Sequence, residues 1–150
     1  MRVVCQRVSR ASVTVAGEVV GEIAGGLMLL VGIGPKDTPA TVEAMASKVV
    51  GLRIFPDSDD RMNLSLLDMA GGALVVSQFT LFADCKKGRR PFFGNGAAPE
   101  LATQLCDAFR DALLGLGVEV QTGVFGADMA VSLVNDGPVT IVLDSDELGF

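Results

Sequence analysis

The chain has 150 residues, 49% hydrophobic and 20% charged, which indicates one folded domain spanning residues 1–150 rather than a disordered chain. Its formal net charge of −6 argues against a protein that grips long stretches of nucleic acid by charge alone, but leaves room for a small site for one RNA end. The absence of His excludes Ser–His–Asp catalysis, Cys–His catalysis and His-liganded zinc. Any chemistry must use carboxylates, Lys, Cys, hydroxyls, backbone groups or the substrate itself.

Strand-forming segments fill the first third of the chain. Residues 3–8 and 12–15 are rich in β-branched side chains. Residues 18–23 follow an Ala-Gly turn and are expected to complete a hairpin. Residues 27–33 form a continuous apolar run, which is typical of a strand buried on both faces.

Two main helices are predicted. Thr38 is an N-cap candidate before a proline, so the first helix should cover residues 39–50 and end at Gly51. The second should begin at Pro99 and end at Gly117, because its apolar side chains recur at helical spacing.

Further strands alternate with turns and loops. The strongest β segment is 73–82, and the other expected strands are 52–55, 118–122, 129–134 and 139–143. The polar, Gly-rich loop 83–97 is long enough to be functional or mobile, and the acidic residues 144–150 should form a frayed tail. The pattern predicts a mixed α/β or α+β domain with two helices packed on curved β layers.

The cysteines and carboxylates give little sign of a bound metal or a disulfide. The three cysteines are odd in number and form no CxxC pair, which favours a reducing compartment, the cytoplasm. The N-terminus does not read as a signal peptide, and the longest apolar stretch is too short to span a membrane. Residues 57–60 are acidic but lack a metal-binding spacing, so neither a metal nor another cofactor is expected.

One charged cluster has two interpretations. Four of the twelve basic residues occur within five positions, namely Lys86, Lys87, Arg89 and Arg90. They form either a solvated loop or a patch that contacts phosphate groups. Cys85 precedes them, and the neighbouring charges make it a possible nucleophile.

Two segments stand out as candidate motifs, 77–81 (SQFTL) and 135–140 (NDGPVT). If the first is a strand, Gln78 and Thr80 share one face, and Ser77 and Phe79 share the other. Both segments also have structural explanations, since the first contains good strand formers and the second good turn formers.

The same segments carry a resemblance to the D-aminoacyl-tRNA deacylase family, whose signatures look like residues 75–81 and 135–140. The resemblance runs almost end to end and includes residues 6–8, 11–15, 88–91 with Phe93, 122–123 and 125–129. The chain departs from the family at Phe92, where the family usually has Ser, and in the loop 94–96 that follows.

The resemblance implies a homodimer of three-layer β/β/α sandwich-like domains with curved, barrel-like sheets. The family hydrolyses the ester that joins a D-amino acid, or glycine, to the 3′ end of tRNA. It implies a cis bond between Gly137 and Pro138, a corner that enters the partner's site and excludes L-amino acids. Arg7 would support this corner.

The resemblance also implies the remaining site residues. The pocket floor and the groups that stabilise negative charge would come from Ser77, Gln78, Phe79 and Thr80. Three further residues are expected near the substrate and its terminal adenosine, namely Phe125, Met129 and Asn135.

Two catalytic mechanisms remain open at this stage. Thr80 or Ser77 would be the nucleophile in a covalent mechanism, but neither has a base close in sequence. In the other mechanism, backbone N–H groups stabilise the oxyanion, and a ribose hydroxyl of the tRNA or a water supplies the remaining chemistry.

Rival functions come from other classes of protein. One is a non-catalytic domain that binds the tRNA 3′ end, and another is a small-molecule amidase or esterase that uses Cys85 or Thr80. A third is a purely structural dimeric domain, which leaves both motifs unexplained. Neither DNA nor a membrane is an expected partner.

Overall fold

A computed structural model describes all 150 residues of the chain. Its elements are β1 (Arg2–Val15), β2 (Glu18–Ile23), β3 (Gly26–Gly32), α1 (Pro39–Val50), β4 (Phe55–Pro56), β5 (Met62–Leu64), β6 (Gly72–Ser77), a 3-10 turn (Phe79–Phe82), α2 (Pro99–Gly115), β7 (Glu119–Thr122), β8 (Ala130–Asp144) and α3 (Ser145–Leu148). The predicted mixed α/β class with two main helices is confirmed. No helix combines the length and the apolar character needed to cross a membrane.

A six-stranded mixed sheet forms the framework, in the order β2-β1-β3-β6-β7, with β8 pairing along the other edge of β1. β1 is antiparallel to β2, β3 and β8, whereas β3, β6 and β7 run parallel. The sheet curves until β2 meets β7. A Cβ at Gly21 of β2 would lie only 2.6 Å from the carbonyl oxygen of Thr122, so this approach requires glycine.

Two apolar clusters fill the two faces of the curved sheet. The larger one, of 23 residues, lies between the sheet and the helices and includes Leu27, Leu29 and Phe109. The smaller one, of 7 residues, includes Met28 and Leu74. Leu27 and Leu29 therefore face one cluster while Met28 faces the other, which confirms that this strand is buried on both faces.

The helix boundaries follow from local chemistry. The Thr38 hydroxyl accepts a hydrogen bond from the backbone N–H of Thr41 at 3.3 Å, and Pro39 opens α1. Gly51 caps α1 at its C-terminal end, as predicted. In α2, Leu105, Phe109 and Leu113 are buried at four-residue intervals, the spacing of one helix face.

Several strand predictions were wrong in their boundaries. β1 and β8 are each one long strand rather than two, because a strand with irregular register can continue through a bulge. β6 ends at Ser77 instead of continuing to residue 82, and the short strand expected at 52–55 is only Phe55–Pro56.

The acidic tail is ordered, so the prediction of a frayed end at residues 144–150 was wrong. The Asp144 carboxylate accepts a hydrogen bond from Asp146 N at 3.0 Å and caps α3. Ser145 is buried, its backbone N–H bonds Met1 O at 2.9 Å, and its hydroxyl accepts from the Met1 amine at 2.6 Å. Tertiary hydrogen bonds thus hold a segment whose composition favours solvent.

Candidate active site

A cavity of about 280 Å³ opens at the carboxyl end of β6. Eleven of its 14 lining residues are hydrophobic, which suits an apolar or aromatic group rather than a free ion. Five predicted site residues line it together, namely Ser77, Gln78, Phe79, Phe125 and Met129. The fold therefore brings together two segments that lie about fifty positions apart in the sequence.

The chain changes direction at the cavity floor. Gln78 N donates to Val31 O at 2.7 Å and ties the end of β6 to β3, and the 3-10 turn begins at Phe79. The expectation that Gln78 and Thr80 share a strand face was wrong, because the strand has already ended. Instead the Gln78 side-chain amide donates a hydrogen bond to the Thr80 hydroxyl.

This turn leaves backbone donors unused. The N–H groups of Phe79 and Thr80 have no backbone acceptor, because the first residues of any helical turn lack a carbonyl one turn earlier. Such donors can bind an oxyanion without the help of a charged side chain.

The cavity offers no general base. No Asp, Glu, Lys or Arg side chain lines it. Burial, together with the nearby Asp107 carboxylate, raises the pKa of its one thiol, Cys106, to about 11, so this thiol is protonated at neutral pH. Arg110 pairs with Asp107 at 2.9 Å and also with Asp111. The carboxylate beside Cys106 is therefore already paired with a cation.

Other predicted residues lie outside this cavity. Thr80 is half-buried beside it without lining it. Cys85 is exposed on the basic loop, next to a different surface pocket. No group of three potential metal-ligating side chains comes together anywhere in the chain.

Gly137 and Pro138 form an exposed corner that interrupts β8. Thr140 pairs with Gln6 of β1 and Asn135 pairs with Val8, so residues 136–139 bulge out of the ladder. The peptide bond between Gly137 and Pro138 is cis, and Gly137 has a φ of +141°. Neither residue lines the cavity of its own chain.

Arg7 fixes the corner from below. Its side chain is buried, with Nε donating to Asp136 O at 2.8 Å and Nη1 donating to Ile54 O at 2.5 Å. The Asp136 carboxylate lies 3.8 Å from Nε and supplies the compensating charge. The arrangement is the one expected of a residue that supports the corner.

Asn135 braces the corner from the side. Its Oδ1 accepts from Val139 N at 2.7 Å, and its Nδ2 donates to Val139 O at 3.2 Å and to Thr140 Oγ1 at 2.9 Å. Asn135 does not line the cavity, so a contact with substrate remains a prediction. The bracing role was missed in the sequence, where Asn135 was interpreted as a turn former and as a residue near the substrate.

The basic cluster occupies the tip of a short hairpin-like loop. Asp84 and Phe92 exchange backbone hydrogen bonds of 2.8 and 2.9 Å, and the four basic residues of 86–90 lie between them. All four are exposed, and none forms an ion pair. The loop thus concentrates unneutralised positive charge on a chain of net negative charge.

Sequence comparison identifies close relatives of this chain. A family described as "D-Tyr-tRNA(Tyr) deacylase" matches residues 4–144. Proteins named D-aminoacyl-tRNA deacylase are 60% identical in Chloroflexus aurantiacus, covering 99% of this chain and 92% of theirs, and 57% identical in Listeria monocytogenes serotype 4a, covering 99% and 98%.

Two solved structures share the fold. One, titled "c-Myc DNA Unwinding Element Binding Protein", is 39% identical with a TM-score of 0.89 and covers 96% of this chain and 98% of its own. The other, from a study titled "Structural Analysis of a probable eukaryotic D-amino acid tRNA deacylase", is 18% identical with a TM-score of 0.82 and covers 95% and 97%.

The family match and the names of these relatives make the chain, with its mixed α/β fold and His-free cavity, an enzyme of the hydrolase class. The chain belongs to the D-Tyr-tRNA(Tyr) deacylase family, as the match over residues 4–144 and the relatives covering its full length establish.

Proposed function

We propose that this enzyme hydrolyses the ester bond of D-aminoacyl-tRNA, releases the free D-amino acid and tRNA, and rejects L-aminoacyl-tRNA. The names of the close relatives support the substrate class. The observation that carries the chemistry is the cavity itself, which combines a lining residue, Phe79, whose backbone N–H is free with the absence of any charged side chain that could act as a general base. The free N–H of Thr80 is next to it in the chain.

The terminal adenosine of the tRNA occupies the cavity in this proposal. Its base contacts Phe125 and Met129, because an apolar lining with an exposed aromatic ring suits a flat heterocycle. The ester carbonyl then lies over the segment 77–80, within reach of the free backbone donors.

Catalysis proceeds by positioning and by backbone electrostatics. An aminoacyl ester is already reactive, and the ribose hydroxyl beside the ester can assist a water. One oxyanion donor contributes about 3 kcal/mol to lowering the barrier. The alternative, in which Thr80 is a nucleophile, lacks a base, and the Thr80 hydroxyl already accepts a hydrogen bond from Gln78.

The Gly137-Pro138 corner of a second copy of the chain distinguishes D- from L-aminoacyl groups by their shape. The corner is exposed, is braced by Arg7 and Asn135, and does not reach the cavity of its own chain. It therefore suits a rigid wall inserted into a partner's site in a homodimer. Rejecting an L substrate ten-thousandfold requires about 5.5 kcal/mol, which a steric wall supplies more readily than an attractive contact.

Glycyl-tRNA is a substrate for the same reason. Glycine has no side chain to meet the wall, so a filter based on steric exclusion accepts it. The expected site of action is the cytoplasm.

The direct test is a deacylation assay with one tRNA charged with D-tyrosine, L-tyrosine or glycine. We expect rapid release of D-tyrosine and glycine, and release of L-tyrosine at the uncatalysed rate. Equal rates for D- and L-tyrosine would refute the filter, and no turnover of any substrate would favour a non-catalytic binder of the tRNA 3′ end.

The cross-subunit arrangement is tested by mixing two inactive variants. Gly137→Val damages the corner, and Ala127→Trp fills the cavity, which Ala127 lines. In a heterodimer, the intact cavity of the first variant meets the intact corner of the second. Recovered activity supports a shared site, whereas no recovery despite heterodimer formation would place corner and cavity in one chain.

A further inference from the structure

Three exposed phenylalanine side chains lie at the cavity or on the loop that leads to it. Phe79 lines the cavity and meets Phe93 edge to face, with ring centroids 5.7 Å apart. The ring of Phe92 packs over Gly94, leaving no room there for a Cβ. The exposed fractions are 61% for Phe79, 60% for Phe92 and 44% for Phe93. We call these three residues the aromatic ledge.

Backbone hydrogen bonds tie down the loop that carries the aromatic ledge. The backbone hydrogen bonds between Phe92 and Asp84 close the loop beneath it, and Ala97 N donates to Ile33 O at 2.9 Å where the loop rejoins the core. A cluster of exposed aromatic rings at a fixed position beside a cavity is the usual mark of a binding surface.

Charge indicates what binds there. The loop that carries Phe92 also carries the four unpaired basic residues of 86–90, on a chain whose net charge is −6. Aromatic rings next to a track of cations are the features with which proteins hold single-stranded nucleic acid, the rings stacking on bases and the cations contacting phosphates. An apolar protein partner would gain nothing from four like charges.

We propose that the aromatic ledge stacks the unpaired cytidines that precede the terminal adenosine of the tRNA, while the cations of residues 86–90 contact the phosphates. The inference deepens the proposed function and rests on it, because the terminal adenosine must occupy the cavity that Phe79 lines. Phe93, in contact with Phe79, takes the nearer cytidine, and Phe92 takes the next one.

The first test measures how much the enzyme gains from the nucleotides beyond adenosine. The ratio of kcat/KM for D-tyrosyl-tRNA to kcat/KM for D-tyrosyl-adenosine is compared between the wild-type enzyme and Phe92→Leu. Leucine keeps an apolar side chain but cannot stack, so the ratio should fall about fivefold or more. Phe150→Leu, at a 42% exposed phenylalanine in the C-terminal tail, is the matched control and should leave the ratio unchanged.

The second test is a double-mutant cycle on binding. One ligand is an acceptor-stem RNA that ends in CCA and carries no amino acid, and the other is the same RNA with the bases of the two cytidines removed. The affinity for each RNA is measured with the wild-type enzyme and with the double variant Phe92→Leu, Phe93→Leu. We expect the abasic change to weaken wild-type binding about fivefold or more and to have little further effect on the variant.

The outcomes separate the two proposals. If the RNA change and the protein change weaken binding independently, so that their effects add, the proposed stacking on the aromatic ledge is wrong, even if D-tyrosyl-tRNA is hydrolysed normally. Failure of the wild-type enzyme to hydrolyse D-tyrosyl-tRNA would overturn the proposed function, while the cycle would still report on the ledge. A change in oligomeric state for Phe92→Leu in sedimentation velocity, without coupling in the cycle, would assign the ledge to a second copy and overturn the inference.

Discussion

Replacing Gly137 with alanine tests the corner with the smallest possible change. The φ of +141° lies in a region that L side chains rarely adopt, which costs about 1–3 kcal/mol. A new Cβ would also lie 3.0 Å from Val139 N and 3.1 Å from Arg7 Nη2. Neither neighbour moves freely, because Asn135 Oδ1 accepts from Val139 N and two backbone carbonyls accept from Nε and Nη1 of the same Arg7 guanidinium.

The strain must therefore lower stability or displace the corner. We expect the free energy of unfolding to fall by about 1–3 kcal/mol, measured by urea denaturation. We expect the ratio of kcat/KM for D-tyrosyl-tRNA to kcat/KM for L-tyrosyl-tRNA to fall about fivefold to 150-fold. This range is the strain of about 1–3 kcal/mol converted to a rate ratio, at 1.36 kcal/mol for each tenfold change. Gly137→Val adds more bulk and should also reduce D-tyrosyl-tRNA hydrolysis.

Gly17→Ala is the matched control. Gly17 also has a positive φ, +88°, but nothing lies within 4 Å of the Cβ position, and Gly17 does not line the cavity. This variant should lose some stability and keep full selectivity. Wild-type stability and selectivity in Gly137→Ala, or an equal loss of selectivity in Gly17→Ala, would refute the reasoning.

Three other changes test the remaining parts of the site. Thr80→Ala and Ser77→Ala should each reduce kcat by less than about a thousandfold, since backbone donors carry the oxyanion; a larger loss in a folded variant that binds tRNA would favour a side-chain nucleophile. Replacing the four basic residues of 86–90 with alanine should weaken tRNA binding and flatten its dependence on salt concentration, and an unchanged slope would make them a solvated loop. Iodoacetamide at pH 7 should label exposed Cys85 rapidly and Cys106 slowly, as mass spectrometry of the labelled peptides would show. The reason is that the pKa of Cys106 is raised to about 11, so its reactive thiolate appears only as the pH rises towards that value.

The sequence predicted those elements whose causes are local. Thr38, Pro39 and Gly51 defined α1, since capping depends on neighbours in the chain. The apolar run in β3 likewise identified a strand buried on both faces.

Elements that depend on distant contacts were predicted less well. β6 ends at Ser77 because Gln78 bonds Val31, a contact between segments separated by 47 positions, while the local composition favours a longer strand. The acidic tail folds because Ser145 bonds Met1, at the other end of the chain. The strand or helix propensity of a segment carries no information about which distant residues it will bond.

The candidate site shows the same division. The motifs that suggested Ser77, Gln78, Phe79, Phe125 and Met129 were found in the sequence, and the fold gathers these residues around one cavity. Cys106 also lines the cavity but was not among the candidate site residues, since a helix pattern does not reveal which side chain borders a cavity. The bracing by Asn135 was missed for a similar reason, because a turn-forming residue does not reveal its hydrogen-bond partners.

The position of the corner within β8 limits how the specificity of this enzyme can evolve. Both flanks of the corner are laddered to β1, through Thr140 with Gln6 on one side and Val134 with Arg10 on the other. Because both flanks are held in register, an inserted or deleted residue would alter the bulge itself and move Gly137 and Pro138 out of their braced position. New acyl preferences are therefore open to substitutions around the cavity, while the length of the corner is locked to the architecture of the sheet.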